Sequence, residues 1–401
     1  MGFKLARIAG IDIYVDWSLL IIFFLIVYGL ALGLFPAWHP EWSAGVTWLT
    51  AICAALLFFA SIAVHELSHA LVGRWNGVVI RRITLFVFGG AAIIEREPHK
   101  WRAELLMAAV GPLTSLVLAF GFLFAAGAFV PAEQLDLTRP DEIIRQLDPL
   151  ASLLLWVGQV NLMLAVFNLV PAFPLDGGRV LRAILWAATG SLRRATRWAS
   201  LLGQAFAWVL IATGFLMIFG VRVPVFGTGL IGGLWLAFLG WFLNNAALMS
   251  YRQLLTREAL EDIPVSRLMQ TRFESVPPDT TISQLVEDHV LRSGQHAFPV
   301  VSDDRLLGMV GLSDITKVDP KRRATTTVAE IMTPAERLVS VAPDDDAFEA
   351  LSLLAQRGLN QLPVVRDGRL RGLLRREEVM SWLALHEEPA ATDIRVRERP
   401  A

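Results

Sequence analysis

The sequence predicts a polytopic α-helical membrane protein of about six transmembrane helices, with a β-hairpin insertion, followed by a cytosolic α+β module of two repeats. Three observations carry this expectation. Apolar residues fill 54% of the 401 positions and only 18% are charged, against about a quarter in soluble chains. Long apolar runs dominate up to about residue 250. Beyond Tyr251 charges and short alternating segments take over, and the chain repeats itself. The same numbers exclude a disordered chain and argue against a compact cytosolic enzyme. With 36 basic and 37 acidic residues the net charge is −1, which leaves no nucleic-acid footprint. The single Cys53 excludes a disulfide framework and any multi-cysteine metal site.

A helix needs roughly 20 apolar residues to cross a bilayer core about 30 Å thick. Six runs qualify: 18–35, 47–72, 105–130, 149–170, 198–220 and 229–248. The first could pass for a signal peptide, but its leader is long, holds Asp12 and Asp16, and no small-x-small cleavage site follows; it reads as a retained anchor. Loop charge sets the orientation. With the N-terminus inside, the inner segments carry thirteen basic residues, among them Lys4, Arg74, Arg96, Arg182 and Arg197. The outer loops carry only Arg139, Arg145 and Arg222. Both termini are therefore expected in the cytoplasm.

The second run contains His65-Glu66-Leu67-Ser68-His69, an HExxH motif. Positions i and i+4 share a helical face, so both imidazoles can reach one metal while Glu66 serves as base to a water held there. Zinc takes neutral imidazole, and a catalytic site keeps three protein ligands and an open position. The bland alternative is a chance match, but ionisable side chains inside a span are costly and mark function. The third ligand must come from elsewhere. The fourth run ends in Asn168-Leu169-Val170-Pro171-Ala172-Phe173-Pro174-Leu175-Asp176-Gly177-Gly178. Its prolines break the helix at membrane depth, where irregular backbone must be buried in protein or face water. Asp176 is the sole acid there, and the glycines after it are read as allowing a sharp turn. Runs two and four travel in the same direction and carry their motifs late, so both arrive at one depth. A helix-end cap is the competing role for Asp176. Residues 78–94 alternate β-branched and aromatic residues around Gly89-Gly90, which reads as a hairpin. It is either a structural plug or an edge on which an unwound substrate adds as a strand.

HExxH in one span with Asn-x-x-Pro-x-x-Pro-Leu-Asp-Gly-Gly in a later one resembles the site-2 protease family of intramembrane zinc metalloproteases. Phe88-Gly89-Gly90 and the stretch from Glu104 through Gly111-Pro112-Leu113-Thr114-Ser115 match its pattern too. The resemblance covers roughly residues 1–250. It implies one Zn2+ per chain held by His65, His69 and Asp176, Glu66 as catalytic acid/base, and cleavage within or beside the transmembrane helix of a single-span protein. The implied substrate is a membrane-anchored regulator such as an anti-sigma factor, in a prokaryotic cell membrane. Asn168 fits the family asparagine and is a candidate donor to the scissile carbonyl or oxyanion. It shares a helix face with Asn161, and an interhelical hydrogen bond is the competing role.

In the tail, Met269…Pro299-Val300-Val301…Gly308 recurs as Met332…Pro363-Val364-Val365…Gly372. Each unit reads β-α-β-β-α and resembles a CBS domain, which sets repeats at 262–322 and 323–386 after a linker at 251–261. The resemblance implies a regulatory or homodimerising module with clefts for adenine nucleotides. The hydroxyl cue for phosphate is missing, since Gly311 and Arg375 stand there. The ribose-type acid survives at Asp314, with Glu378 a longer substitute. His39, His99, His289, His296 and His386 lack ligand spacing and are assigned to surface or packing, and 387–401 is expected to be disordered. Two other functions compete: a CBS-regulated ion channel or transporter, and a membrane-helix binder that does not cut. A transporter is expected to show inverted repeats, which are absent, and Glu66 is intact. There is also no second mid-span Asp for an aspartyl dyad and no serine–histidine pair.

Overall fold

The computed structural model describes residues 2–86, 89–94, 98, 100–129, 140–224, 227–293 and 295–386. Phe88, Arg96, His99, Arg139 and the tail 387–401 lie outside the described residues. The chain divides into two compact units, residues 1–252 and 253–401.

The first unit opens with two strands, β1 (Phe3–Ile8) and β2 (Ile11–Val15), before helix α1 (Trp17–Gly29). A π-helical stretch, Leu30–Leu34, and α2 (Phe35–Trp38) complete the first span. Then come α3 (Ala44–Trp75), β3 (Ile80–Phe86), β4 (Gly89–Ile94), α4 (Trp101–Gly127), α5 (Pro140–Gln146), α6 (Pro149–Asn168), α7 (Asp176–Thr189), α8 (Leu192–Ile218) and α9 (Leu230–Leu260). Among the described residues, six segments are long and apolar enough to cross a membrane: 17–38, α3, α4, α6, α8 and α9. Helix starts follow capping chemistry. Asp16 accepts from the Ser18 amide, Ser43 from Val46, and Asp148 from Ala151. Buried faces are rich in small residues such as Ala51, Ala54, Ala55 and Ala119, while Phe120, Phe124 and Ile231 point outward, as helices packed in lipid require.

The hairpin at 78–94 is half of a larger sheet. Its strand order is β1-β2-β3-β4, with β2 parallel to β3 and the other pairs antiparallel. Phe86 pairs with Gly89 and Leu85 with Gly90, so Gly89-Gly90 lie within β4. Ile11, Ile13, Val15, Ile83 and Leu85 form one buried face packed on Leu19 and Ala70 of α1 and α3. The leader that argued against a signal peptide is thus the first hairpin of this sheet, with Lys4 bonded to Asp12 at 2.6 Å. Among the described residues β4 is an edge strand.

Residues 251–260, read above as linker, continue α9. The second unit contains α10 (Ile282–Gln284), β5 (Ala297–Ser302), β6 (Arg305–Gly311), α11 (Leu312–Ile315), α12 (Val328–Ile331), β7 (Thr333–Pro334), α13 (Ala347–Arg357), β8 (Gln361–Arg366), β9 (Arg369–Arg375) and α14 (Arg376–His386). One sheet runs β5-β6-β9-β8, with β7 on β6. The repeat is legible in register: Val300 faces Gly308 and Val364 faces Gly372. The opening segments are exchanged between repeats. Thr333–Pro334 of the second pairs with Gly308–Met309 of the first, and Gln270 of the first pairs with Leu373 of the second.

Candidate metal centre

His65 and His69 stand one turn apart on α3 and are only 4% and 8% exposed. Their Nε2 atoms lie 3.1 Å apart. Asp176, the first residue of α7, brings Oδ2 to 3.2 Å from His69 Nε2 and 3.3 Å from His65 Nε2. Among the described residues this is the one cluster of three His, Cys, Asp or Glu side chains arranged to hold a metal ion. Tetrahedral zinc with bonds of about 2.0–2.1 Å needs ligand–ligand edges of about 3.3 Å. The triangle has that size, and its donor set of two imidazoles and a carboxylate suits zinc.

Helix α4 orients the imidazoles. The His69 Nδ1–H donates to the Met107 carbonyl at 2.5 Å, which leaves the Nε2 lone pair free for a cation. With its proton on Nδ1, His65 donates to Ser115 Oγ at 2.8 Å. Between these two groups lies Gly111, where a Cβ would come within 2.1 Å of His69 Nε2. Glu104, Ala108, Gly111 and Ser115 are buried along this helix at intervals of three or four residues, one continuous face.

The irregular segment 169–175 delivers Asp176. Gly177 and Gly178 do not turn the chain, as the sequence suggested; both lie inside α7. They permit close packing, since a Cβ on Gly177 would meet the Leu169 and Val170 carbonyls at 2.4 Å, and one on Gly178 the Phe173 nitrogen at 2.4 Å.

Glu66 sits beside the triangle and interacts electrostatically with both imidazoles and Asp176. Its carboxylate accepts a hydrogen bond from the Gly90 backbone on β4. A Cβ on Gly90 would fall 2.3 Å from Glu66 Cγ, so only glycine lets the edge strand come this close. Asn168 occupies the last position of α6, half-buried, and is not part of the triangle. Asn161 is fully buried and donates to its own helix at Val157. Asp314 in the second unit is engaged locally. One oxygen accepts from the Gly311 amide at 3.1 Å and the other from Lys317 Nζ at 3.1 Å. His39 is buried against Ser152 Oγ at 2.8 Å, His289 bonds Glu274 at 3.0 Å, and His386 stacks on Trp382.

Sequence reasoning missed the N-terminal strands and the orienting role of α4. The alternation Ile11, Ile13, Val15 after Ala9-Gly10 was a signal for the former. The spacing of Glu104, Ala108, Gly111 and Ser115 was one for the latter. Arg182, counted above with the inner-loop charges, is buried inside the domain at 6% exposure.

An HExxH helix completed by a distant aspartate, within a bundle of membrane-length helices, defines a membrane-embedded metallopeptidase. A profile of Peptidase family M50 matches residues 53–148 and 138–210, and the CBS domain profile matches 265–321 and 328–385. Proteins named as zinc metalloproteases are similar over most of the chain. The protein sll0528 of Synechocystis is 33% identical, covering 95% of each chain. Rip3 of Mycobacterium tuberculosis is 33% identical over 91% of this chain and 88% of its own. MJ0392 of Methanocaldococcus jannaschii is 30% identical over 83% and 86%. The solved site-2 protease of Methanocaldococcus jannaschii is 26% identical, covers 63% of this chain and 96% of its own, and gives a TM-score of 0.41. The chain belongs to the M50, or site-2 protease, family of zinc metallopeptidases and carries a tandem CBS pair.

Proposed function

We propose that this protein is an intramembrane endopeptidase that cuts the transmembrane segment of a single-span, membrane-anchored protein. One observation carries the reading: the His65–His69–Asp176 triangle, with Glu66 beside it, lies in and next to a membrane-length helix. Bound at the triangle, zinc supplies Lewis-acid polarisation and makes water acidic near neutral pH. Glu66 takes a proton from the attacking water and delivers it to the leaving amine. The Gly90 hydrogen bond orients its carboxylate. Asn168, eight residues before Asp176, donates to the carbonyl oxygen as charge develops there. The free edge of β4, whose Gly90 touches Glu66, receives the unwound substrate as an added strand.

The excess of basic residues in the inner segments favours cytoplasmic termini in a prokaryotic cell membrane. We assign the CBS pair a regulatory or homodimerising role. Adenine nucleotide is its candidate ligand, with Asp314 the candidate ribose contact, although both Asp314 oxygens already have partners. Titration of the purified protein with ATP and AMP tests this.

The central experiment is Glu66→Gln in the reconstituted protein with a single-span substrate. Cleavage is expected to fall by at least about 10³-fold while one zinc per chain is retained. Full cleavage by this variant would falsify the mechanism. Single-span proteins that accumulate in cells carrying Glu66→Gln identify the substrate.

A further inference from the structure

A buried ion pair lies outside the metal triangle and takes no part in the chemistry above. Arg182 of α7 donates through Nε to Glu104 Oε1 of α4 at 2.5 Å, and its Nη2 reaches the same oxygen. Glu104 is 1% exposed. Opposite charges sealed in a membrane domain are expensive, and desolvation cancels much of their attraction. Stability alone is a poor reason to keep them. Their position supplies another.

Glu104 continues the face of α4 that holds Gly111 and Ser115, and Met107, whose carbonyl orients His69, is one turn away. Arg182 lies six residues after Asp176, about 9 Å along α7. Its guanidinium stands 5.1 Å from the centre of the Phe173 ring. Phe173 belongs to the segment that leads into Asp176. Arg182 thus fastens both the approach to Asp176 and the helix that follows it onto the element that aims the imidazoles.

We infer that the Glu104–Arg182 pair is a positioning clamp that fixes Asp176 at ligand distance from His65 and His69. The inference rests on the zinc-site reading above. The clamp sets the two edges that end at Asp176; the edge between the imidazoles is built within α3 and does not need it.

The test is zinc affinity of the full-length, detergent-solubilised protein, measured by chelator competition, together with the visible spectrum of the Co2+ form. Glu104→Gln and Arg182→Lys are each made in the wild-type chain and in Asp176→Asn. In the wild-type background each is expected to weaken zinc about tenfold and to shift the Co2+ bands, because the carboxylate leaves its place. In Asp176→Asn the same changes are expected to alter affinity by less than about twofold, since the ligand they position is already gone. Equal weakening in both backgrounds, or none in the wild type, overturns the clamp. Arg182→Lys keeps the charge and supplies the answer where Glu104→Gln does not fold. Zinc bound as tightly by Asp176→Asn as by the wild type removes the ligand assignment itself, and the clamp falls with it.

Discussion

Asp176 and Asp314 occupy similar places in the two units: each lies in the first turn of a helix, at a position the sequence marks as a ligand contact. Their surroundings separate them. Asp176 does not cap its own helix, since the residue before α7 has no side-chain cap, and its carboxylate meets two imidazoles from another helix. Asp314 turns back on its own turn, to the Gly311 amide and Lys317. A carboxylate at a helix start joins a cluster when partners distant in sequence claim it, and remains a cap when local donors do.

The difference is sharpened first at Gly111, where any side chain collides with His69 Nε2, the nitrogen that faces Asp176. Gly111→Ala is expected to leave the helices in place and to abolish stoichiometric zinc, as measured by metal analysis of purified protein. Near-full zinc in this variant breaks the claim that α4 shapes the triangle. Asp176→Ala is expected to lower bound zinc well below one per chain while the His pair retains a weak site. Ser115→Ala removes only the partner of His65 Nδ1, so zinc affinity should fall about tenfold, within the range for outer hydrogen-bond partners of ligands. Smallest is Asp314→Ala. It should destabilise the second unit by about 1 kcal/mol through the lost cap, visible as a lower calorimetric transition, with zinc content unchanged. A loss of zinc there would erase the contrast between the two aspartates.

How much of this was legible depended on the sequence distance over which each group acts. HExxH declares itself because four residues make one turn. Asp176 stood out as a candidate because prolines at 171 and 174 break a helix where lipid forbids it. The repeat behind the CBS pair was read from the return of Pro-Val-Val and a glycine. Other features needed the fold. β2 pairs with β3 across more than sixty residues, and β2 is too short to stand out on its own. Met107 acts through its backbone carbonyl, which no side chain advertises. Arg182 looked like an inner-loop charge because only tertiary packing brings Glu104 to it. Gly177 and Gly178 were noticed for the wrong property: they supply absence of bulk, not a bend.

The crossed pairing of the CBS repeats has a consequence for how that part of the chain comes apart. Each repeat finishes its partner's β-structure, with Thr333–Pro334 laid on β6 and Gln270 bonded to Leu373. A nick between them would leave the two fragments clasped, and a deletion of either would strip the survivor of a neighbour its backbone amides require. The two repeats are therefore expected to unfold as one cooperative unit.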